Sequence, residues 1–172
     1  MKKFIFSIFI FIFLFNYNVF ASTPTVVMES SSGRILYQND SNSRHLIASI
    51  TKIMTCIVTL ENIDINKTVE VGDEVLKMYG TNIYIEVGEK ITIKDLLYGL
   101  MLRSGNDAAI TLAVNVSGNE ADFVRLMNEK AKEIGMANTI FSNPHGLDEE
   151  TKNYSTAYDM SLLANYAYKN ST

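Results

Sequence analysis

The chain has 172 residues, of which 47% are hydrophobic and 20% are charged, and its formal net charge is -4. This length fits one domain, and the composition excludes a disordered chain because enough apolar residues are present to form a core. Apart from Lys2 and Lys3 the sequence has no basic cluster, so we expect no nucleic-acid partner. The single cysteine, Cys56, cannot form an intramolecular disulfide, and the fold must depend on its core.

The N-terminus has the pattern of a secretory signal peptide. A positive start, Met1–Lys3, is followed by an almost wholly apolar run from Phe4 to Phe15 and by the small residue Ala21. The pattern predicts a signal peptide over residues 1–21, with cleavage after Ala21 and export of the protein. The apolar run is shorter than the ~20 residues that span a bilayer, although an uncleaved anchor stays open as an alternative.

Strand patterns come first in the mature chain. Two β-type runs, Thr25–Glu29 and Arg34–Gln38, flank a Ser/Gly turn and predict a hairpin. The runs Ile83–Val87 and Ile91–Thr92 flank a glycine and predict a second, smaller hairpin. No strong strand pattern follows Phe141, so the first hairpin lacks an evident partner.

Helical patterns fill the rest of the chain. Apolar periodicity, glycine stops and a capping box predict five helices. They span residues 49–61, 94–102 and 107–116, a stripe from Phe123 to Ile134 that stops at Gly135, and a segment from Thr156 to about Lys169.

Two polar clusters are candidates for chemistry. Ser49 and Lys52 lie three residues apart on one helix face, which places an alcohol beside a possible base. Alone, this pair could equally be a helix cap followed by a solvated lysine. The second cluster contains Ser104 and Asn106 and lies in a predicted turn between two helices, where both side chains can point into a cleft. Together the clusters favour nucleophilic catalysis by a serine.

Ser-x-x-Lys and Ser-x-Asn are two of the three signature motifs of penicillin-binding proteins and β-lactamases. The sequence resembles the low-molecular-weight penicillin-binding proteins, which are serine D-alanyl-D-alanine carboxypeptidases. The resemblance is carried by SITKIMT, SGNDAA, FVRLMNEKAKEIGM, NPHGL and YSTAYDMSLLA. It implies an α/β (α+β) fold of the penicillin-binding-protein/β-lactamase-like transpeptidase type, with an antiparallel sheet and a helical subdomain. Residues 22–172 would form a partial carboxypeptidase catalytic domain, incomplete at its C-terminus.

The resemblance implies a role for each matched residue. Ser49 would be the nucleophile that is acylated by the substrate, a peptidoglycan stem peptide ending in D-Ala-D-Ala. Lys52 would accept the serine proton, which requires a neutral amine, and Ser104 would relay a proton to the leaving group. Asn106 would orient Lys52 and hold the substrate backbone, while the backbone N–H of Ser49 would serve as one oxyanion donor.

The resemblance also implies partners and a location. No metal and no cofactor is expected, and β-lactam antibiotics are the expected inhibitors. The protein would act in the cell envelope or at the extracellular face of the cytoplasmic membrane, without a membrane anchor in this chain. We expect His145 to be a loop residue rather than a base, and Asp107 to be no more than a charge at a helix start.

The sequence departs from the family pattern at its third motif, because Lys-Thr-Gly does not occur. In the family this motif lies on a strand that supplies the second oxyanion donor and a lysine for the substrate carboxylate. We therefore expect this chain by itself to be nearly inactive. Two alternatives remain: a β-lactamase, since Glu149 and Asn153 have the spacing of a deacylation element, and a non-catalytic peptidoglycan-binding or decayed product. The NPHGL stretch favours the carboxypeptidase.

Overall fold

The computed structural model describes residues 23–170, and in this part of the chain five α-helices combine with three two-stranded antiparallel sheets. The strands are β1 (Thr25–Met28), β2 (Ile35–Asn39), β3 (His45–Leu46), β4 (Thr68–Glu70), β5 (Lys90–Thr92) and β6 (Tyr154–Ser155). The helices are α1 (Lys52–Asn62), α2 (Ile93–Arg103), α3 (Asn106–Ser117), α4 (Glu120–Ile134) and α5 (Ala157–Lys169), with 3-10 turns at Ala48–Thr51 and Asp73–Lys77. The signal peptide predicted over residues 1–21 lies outside the described residues.

The predicted helices are confirmed, and their ends follow the sequence signals. The side chains of Thr92, Asn119 and Thr156 accept a hydrogen bond from the backbone N–H three residues later and so cap α2, α4 and α5. Gly118 and Gly135 adopt left-handed conformations just after α3 and α4, as helix stops commonly do.

Helix α3 lies at the centre of the molecule because it contributes to both apolar clusters. The first cluster joins α1, α3, α4 and α5 and contains Ile47, Met54, Ile57, Val58, Ala113, Phe123, Met127, Ala131, Met136, Phe141 and Leu163. The second joins α2 to the other side of α3 and contains Val69, Ile93, Leu96, Leu97, Leu100, Ala108, Ala109 and Leu112. All residues of α3 from Asn106 to Ala113 are buried, so its first turn has a fixed position.

The first predicted hairpin is confirmed. β1 pairs with β2, with a bulge between Val27 and Met28, and no third strand joins them among residues 23–170. Leu36 and Tyr37 are consequently 56% and 57% exposed, although they point to opposite faces of the strand.

The second predicted hairpin is wrong. β5 pairs with β4 instead, with Val69 opposite Ile91, and Ile83–Val87 forms no strand. The backbone N–H groups of Ile83 and Tyr84 donate to the side chain of Asp107 and are therefore not available for a ladder. The alternating apolar pattern of this segment reflects packing, since Ile83 and Ile85 lie against the second apolar cluster.

β6 was not predicted, because its pattern is only two residues long. It pairs with β3 so that His45 lies opposite Ser155 and Leu46 opposite Tyr154. This pairing brings the chain after α4 against the segment that precedes Ala48.

Within residues 23–170, none of the helices has the length and apolar character that a membrane span requires.

Candidate active site

Ser49 lies exposed in the 3-10 turn that leads directly into α1. The preceding residue, Ala48, has a φ of 42°, an unusual conformation for a residue with a side chain. Such strained residues are concentrated at functional sites. The strained turn presents the Ser49 hydroxyl 3.4 Å from the Nζ atom of Lys52, the first residue of α1.

Lys52 is only 3% exposed, and its amine is held by three oxygen atoms. Nζ donates to Oδ1 of Asn106 at 2.8 Å and to the carbonyl oxygen of His145 at 2.8 Å, in addition to the longer contact with Ser49. Burial lowers the pKa of Lys52 to about 8, while the charge of Asp107 acts in the opposite direction. A substantial neutral fraction near pH 7 to 8 is what a general base requires.

Asn106, the first residue of α3, holds Lys52 from the opposite side. Its side-chain Nδ2 donates to the carbonyl oxygen of Tyr79 at 2.7 Å, which leaves Oδ1 facing the lysine amine. Its backbone N–H donates to the carbonyl oxygen of Thr81 at 2.8 Å. Both bonds fix the orientation of the amide, so Asn106 presents an acceptor to Lys52.

Ser104 lies between α2 and α3 in a left-handed conformation, with a φ of 57°. It is half-buried, and its hydroxyl makes no hydrogen bond to any residue between 23 and 170. The structure therefore brings Ser49, Lys52 and Asn106 together by hydrogen bonds. Ser104 stands two residues before Asn106 without joining that set.

The loop Asn143–Leu147 supplies the acceptor that sequence reasoning missed. The carbonyl oxygen of His145 binds Lys52, and that of Pro144 accepts from the Thr55 hydroxyl at 2.6 Å, so the loop is fixed to α1 at two points. No sequence signal identifies a main-chain acceptor. The residues around the His145 carbonyl, Asn143–Gly146, form a turn. A turn by itself predicts only a loop.

The imidazole of His145 is not placed as a base for Ser49. It is buried, and its Nδ1 accepts from the backbone N–H of Leu147. Burial, followed by the charge of Lys52, lowers the pKa of His145 to about 4. A neutral imidazole in this position agrees with the expectation of a loop residue.

Gly146 lies directly against the turn that carries the serine. Its φ is +86°, and a Cβ atom at this position would overlap the carbonyl group of Ala48 and lie 2.9 Å from the backbone nitrogen of Ser49. The N–H of Ser49 makes no hydrogen bond within residues 23–170. Glycine thus permits the close approach and leaves this N–H available to a ligand.

The side chain of Asn153 joins the loop Asn143–Leu147 to the 3-10 turn that carries Ser49. It is fully buried, and its Nδ2 donates to the hydroxyl of Thr51 at 2.8 Å and to the carbonyl oxygen of Asn143 at 3.0 Å. Glu149, four residues earlier, is exposed. Within residues 23–170 no hydrogen bond joins Glu149 to Asn153, so the contacts give no support to a deacylation element.

The Ser49 hydroxyl lies beside the buried amine of Lys52 at the start of α1, and α3 contributes Asn106 to the same amine. This is the combination of residues in the Ser-x-x-Lys and Ser-x-Asn motifs of penicillin-binding proteins. Solved structures share this fold. The D-alanyl-D-alanine carboxypeptidase DacD from Francisella tularensis superposes with a TM-score of 0.82 at 36% identity, over 87% of this chain and 37% of that chain. Penicillin binding protein 5 from Haemophilus influenzae superposes with a TM-score of 0.80 at 30% identity, over 87% and 46% of the two chains.

Residues 16–172 match the Peptidase_S11 family, described as D-alanyl-D-alanine carboxypeptidase, and the chain belongs to this family. It is 44% identical over 144 residues to the D-alanyl-D-alanine carboxypeptidase DacF of Bacillus subtilis, a match that covers 81% of this chain. It is 35% identical over 149 residues to the D-alanyl-D-alanine carboxypeptidase DacC of Escherichia coli. The chain spans 37% of the length of each of these relatives.

Proposed function

We propose that this chain carries the nucleophile and base of a serine D-alanyl-D-alanine carboxypeptidase, which removes the terminal D-alanine from peptidoglycan stem peptides. The observation that carries the proposal is the position of the Lys52 amine, 3.4 Å from the Ser49 hydroxyl and 2.8 Å from Asn106. Family membership and the names of the relatives support the choice of substrate.

The proposed reaction begins with attack of Ser49 Oγ on the carbonyl carbon of the D-Ala-D-Ala peptide bond. The serine proton passes to Nζ of Lys52, and the oxyanion forms next to the free N–H of Ser49. When the C–N bond breaks, the proton is delivered to the leaving D-alanine nitrogen, and the peptide remains as an ester on Ser49. Water then hydrolyses this ester and regenerates the serine.

Ser104 and Asn106 have supporting roles in this proposal. Asn106 keeps the Lys52 amine directed at the serine and offers its amide to the substrate backbone. Ser104 relays the proton from Lys52 to the leaving nitrogen through its hydroxyl, which no residue between 23 and 170 binds. β-Lactams would acylate the same serine, because they carry a strained amide that Ser49 can open.

Covalent labelling tests the proposal. The purified chain is incubated with benzylpenicillin for several hours, and the adduct is located by intact mass and peptide mapping. We expect slow labelling of Ser49, none in Ser49→Ala, and unchanged labelling in the control Ser117→Ala, which alters a serine at the far end of α3. A label on another residue, or one that persists in Ser49→Ala, would contradict the assignment.

The lifetime of the adduct separates the alternatives. A carboxypeptidase should keep the penicilloyl ester for many minutes, whereas a β-lactamase should release it rapidly. Peptide binding without any adduct would indicate the non-catalytic alternative. The exposed position of Glu149 gives no support to fast deacylation.

We also propose that the protein acts outside the cytoplasm, in the cell envelope. The support is the positive start and apolar run at the N-terminus, together with relatives whose names refer to D-alanyl-D-alanine peptides. Mass spectrometry of the mature protein should find Ser22 as its first residue. A mature chain that retains Met1 would contradict cleavage after Ala21.

A further inference from the structure

Asp107 is the most heavily hydrogen-bonded carboxylate near the site, and the reaction proposed above gives it no role. It is 2% exposed, and its Oδ2 accepts from the backbone N–H of Tyr84 at 2.7 Å, of Ile83 at 3.1 Å and of Ile85 at 3.3 Å. Its Oδ1 accepts from Ile83 at 3.0 Å and from Ala108 at 2.8 Å. Charge-assisted bonds of this kind can offset the burial of a carboxylate.

A helix-start charge does not account for these contacts. Asp95 and Asp122 occupy the first turns of α2 and α4, and within residues 23–170 their carboxylates bond only with their own helix and the residue that caps it. Asp107 instead binds N–H groups that lie 22 to 24 residues earlier in the chain. Asp107 is therefore more than the charge at a helix start that the sequence predicted.

The bonds of Asp107 continue those of Asn106 along one segment. Asn106 binds the carbonyl groups of Tyr79 and Thr81, and the backbone N–H of Asp107 donates to the side chain of Asn82. Residues 79–85 have no strand or helix of their own. The segment is thus held against the first turn of α3 by two neighbouring residues, one of which also binds Lys52.

We propose that Asp107 is a positioning residue of the site, whose carboxylate holds residues 82–85 against α3 and thereby fixes Asn106 as the acceptor of the Lys52 amine. The contacts of Asp107 are observed in the structure, and only the role of Lys52 as the base rests on the proposed function. The held segment also lines a cavity of about 440 Å³ beside Asp107.

Asp107 also acts on Lys52 through its charge. The titratable groups that influence each other here are Lys52 on α1, Asp107 on α3 and His145 in the loop before β6. The imidazole of His145 is neutral because its pKa lies at about 4. Asp107 therefore opposes the effect of burial, and its neutralisation should lower the pKa of Lys52 further below 8.

The test compares Asp107→Asn with Asp95→Asn, the same substitution in the first turn of the neighbouring helix. Two readings are taken on the whole chain: amide hydrogen exchange of Ile83, Tyr84 and Ile85, and the pH titration of the Lys52 ε-carbon by NMR. In Asp107→Asn we expect exchange to accelerate roughly ten- to a hundredfold at these amides, since bonds to a charged acceptor are lost. The Lys52 midpoint should fall, and Asp95→Asn should change neither reading.

A folded Asp107→Asn in which either reading equals that of the wild type would overturn the proposal. If the variant does not fold, exchange in the wild type decides the question. Slow exchange of the three amides, in a segment outside every strand and helix, supports the role of Asp107, and exchange at the rate of an unprotected loop overturns it. Neither reading depends on acylation, so failure here is distinct from failure of the carboxypeptidase assignment.

Discussion

The amine of Lys52 donates to the carbonyl oxygen of His145 at 2.8 Å, a contact that joins the start of α1 to a residue 93 positions later in the chain. Because the acceptor is a main-chain atom, its position depends on the path of the loop and not on the side chain at 145. The shape of the loop Asn143–Leu147 is therefore as important for the lysine as the asparagine on α3.

Gly146→Ala should be one of the most damaging small substitutions in this chain. A non-glycine residue with positive φ costs about 1–2 kcal/mol, and overlap with the Ala48 carbonyl adds roughly 1–3 kcal/mol. Gly135→Ala is the matched control, because Gly135 has a φ of +90° but nothing within 4 Å of an added Cβ. Chemical denaturation should show the larger loss of unfolding free energy for Gly146→Ala. Equal losses would mean that the contact with Ala48 is not a constraint.

The depressed pKa of Lys52 should appear as a dependence of stability on pH. Between pH 8 and the unfolded value of 10.5 the unfolded chain binds more protons at this residue, so the wild type gains stability as the pH rises through this window. Relative to Lys52→Met, the wild type should gain about 2 kcal/mol of unfolding free energy across this window. This is less than the full shift of the Lys52 pKa implies, because solvent reaches one side of the site.

The measurement for Lys52 is the unfolding free energy of both proteins at a series of pH values from 7 to about 11. The difference between wild type and Lys52→Met should be constant below the window and should rise within it. Two curves that stay parallel throughout would show that Lys52 keeps an ordinary pKa in the fold, and it would then be a poor base near neutrality.

Asn153→Ala should loosen the loop from the serine turn. The substitution leaves the Thr51 hydroxyl and the backbone N–H groups of Ser142 and Asn143 without their partner, and the expected loss is about 3 kcal/mol. Asn62→Ala is the control, since this exposed amide bonds only to a carbonyl in its own helix. The control should lose less than about 1 kcal/mol in the same denaturation experiment.

Lys130→Met should destabilise the helical part away from the site. The amine of Lys130 lies 2.7 Å from carboxylate oxygens of Glu61 and Glu133, and the ring of Tyr166 is 5.3 Å away, so one cation connects α1, α4 and α5. The side chain is 14% exposed, and we expect a loss of about 1–2 kcal/mol. Lys132→Met, an exposed change on the same helix, should stay within about 0.5 kcal/mol. If Lys130→Met and Lys132→Met lose similar amounts of unfolding free energy, the contacts of the Lys130 amine contribute nothing beyond helix propensity.

The helices and the proximity of Ser49 to Lys52 could be predicted because their signals are local. Periodicity, caps such as Thr156 and stops such as Gly135 act within one turn, and Ser49 and Lys52 are only three residues apart in the sequence. The contact between Lys52 and Asn106 spans 54 positions and could be expected only from the resemblance to a family.

The features that sequence reasoning missed are those decided by distant polar atoms. Ile83–Val87 has the alternation of a strand, but the carboxylate of Asp107 takes the N–H groups that a strand partner would need. The His145 carbonyl and the pairing of β3 with β6 depend on main-chain atoms, which every residue type possesses. Their positions follow from the tertiary fold and leave no trace in composition or spacing.

The distance along the chain between the two halves of the site has a consequence for folding. Thr55 and Pro144, Lys52 and His145, and Thr51 and Asn153 are joined across 89, 93 and 102 positions, whereas α3 and α4 follow one another directly. Closing such long loops costs entropy before any contact is gained, so nearby helices should associate earlier. We expect the surroundings of Ser49 to be assembled among the last events, after most of the helix content has formed. Acylation of Ser49 would then count the molecules that have completed folding, and it would distinguish them from helical intermediates that circular dichroism cannot separate.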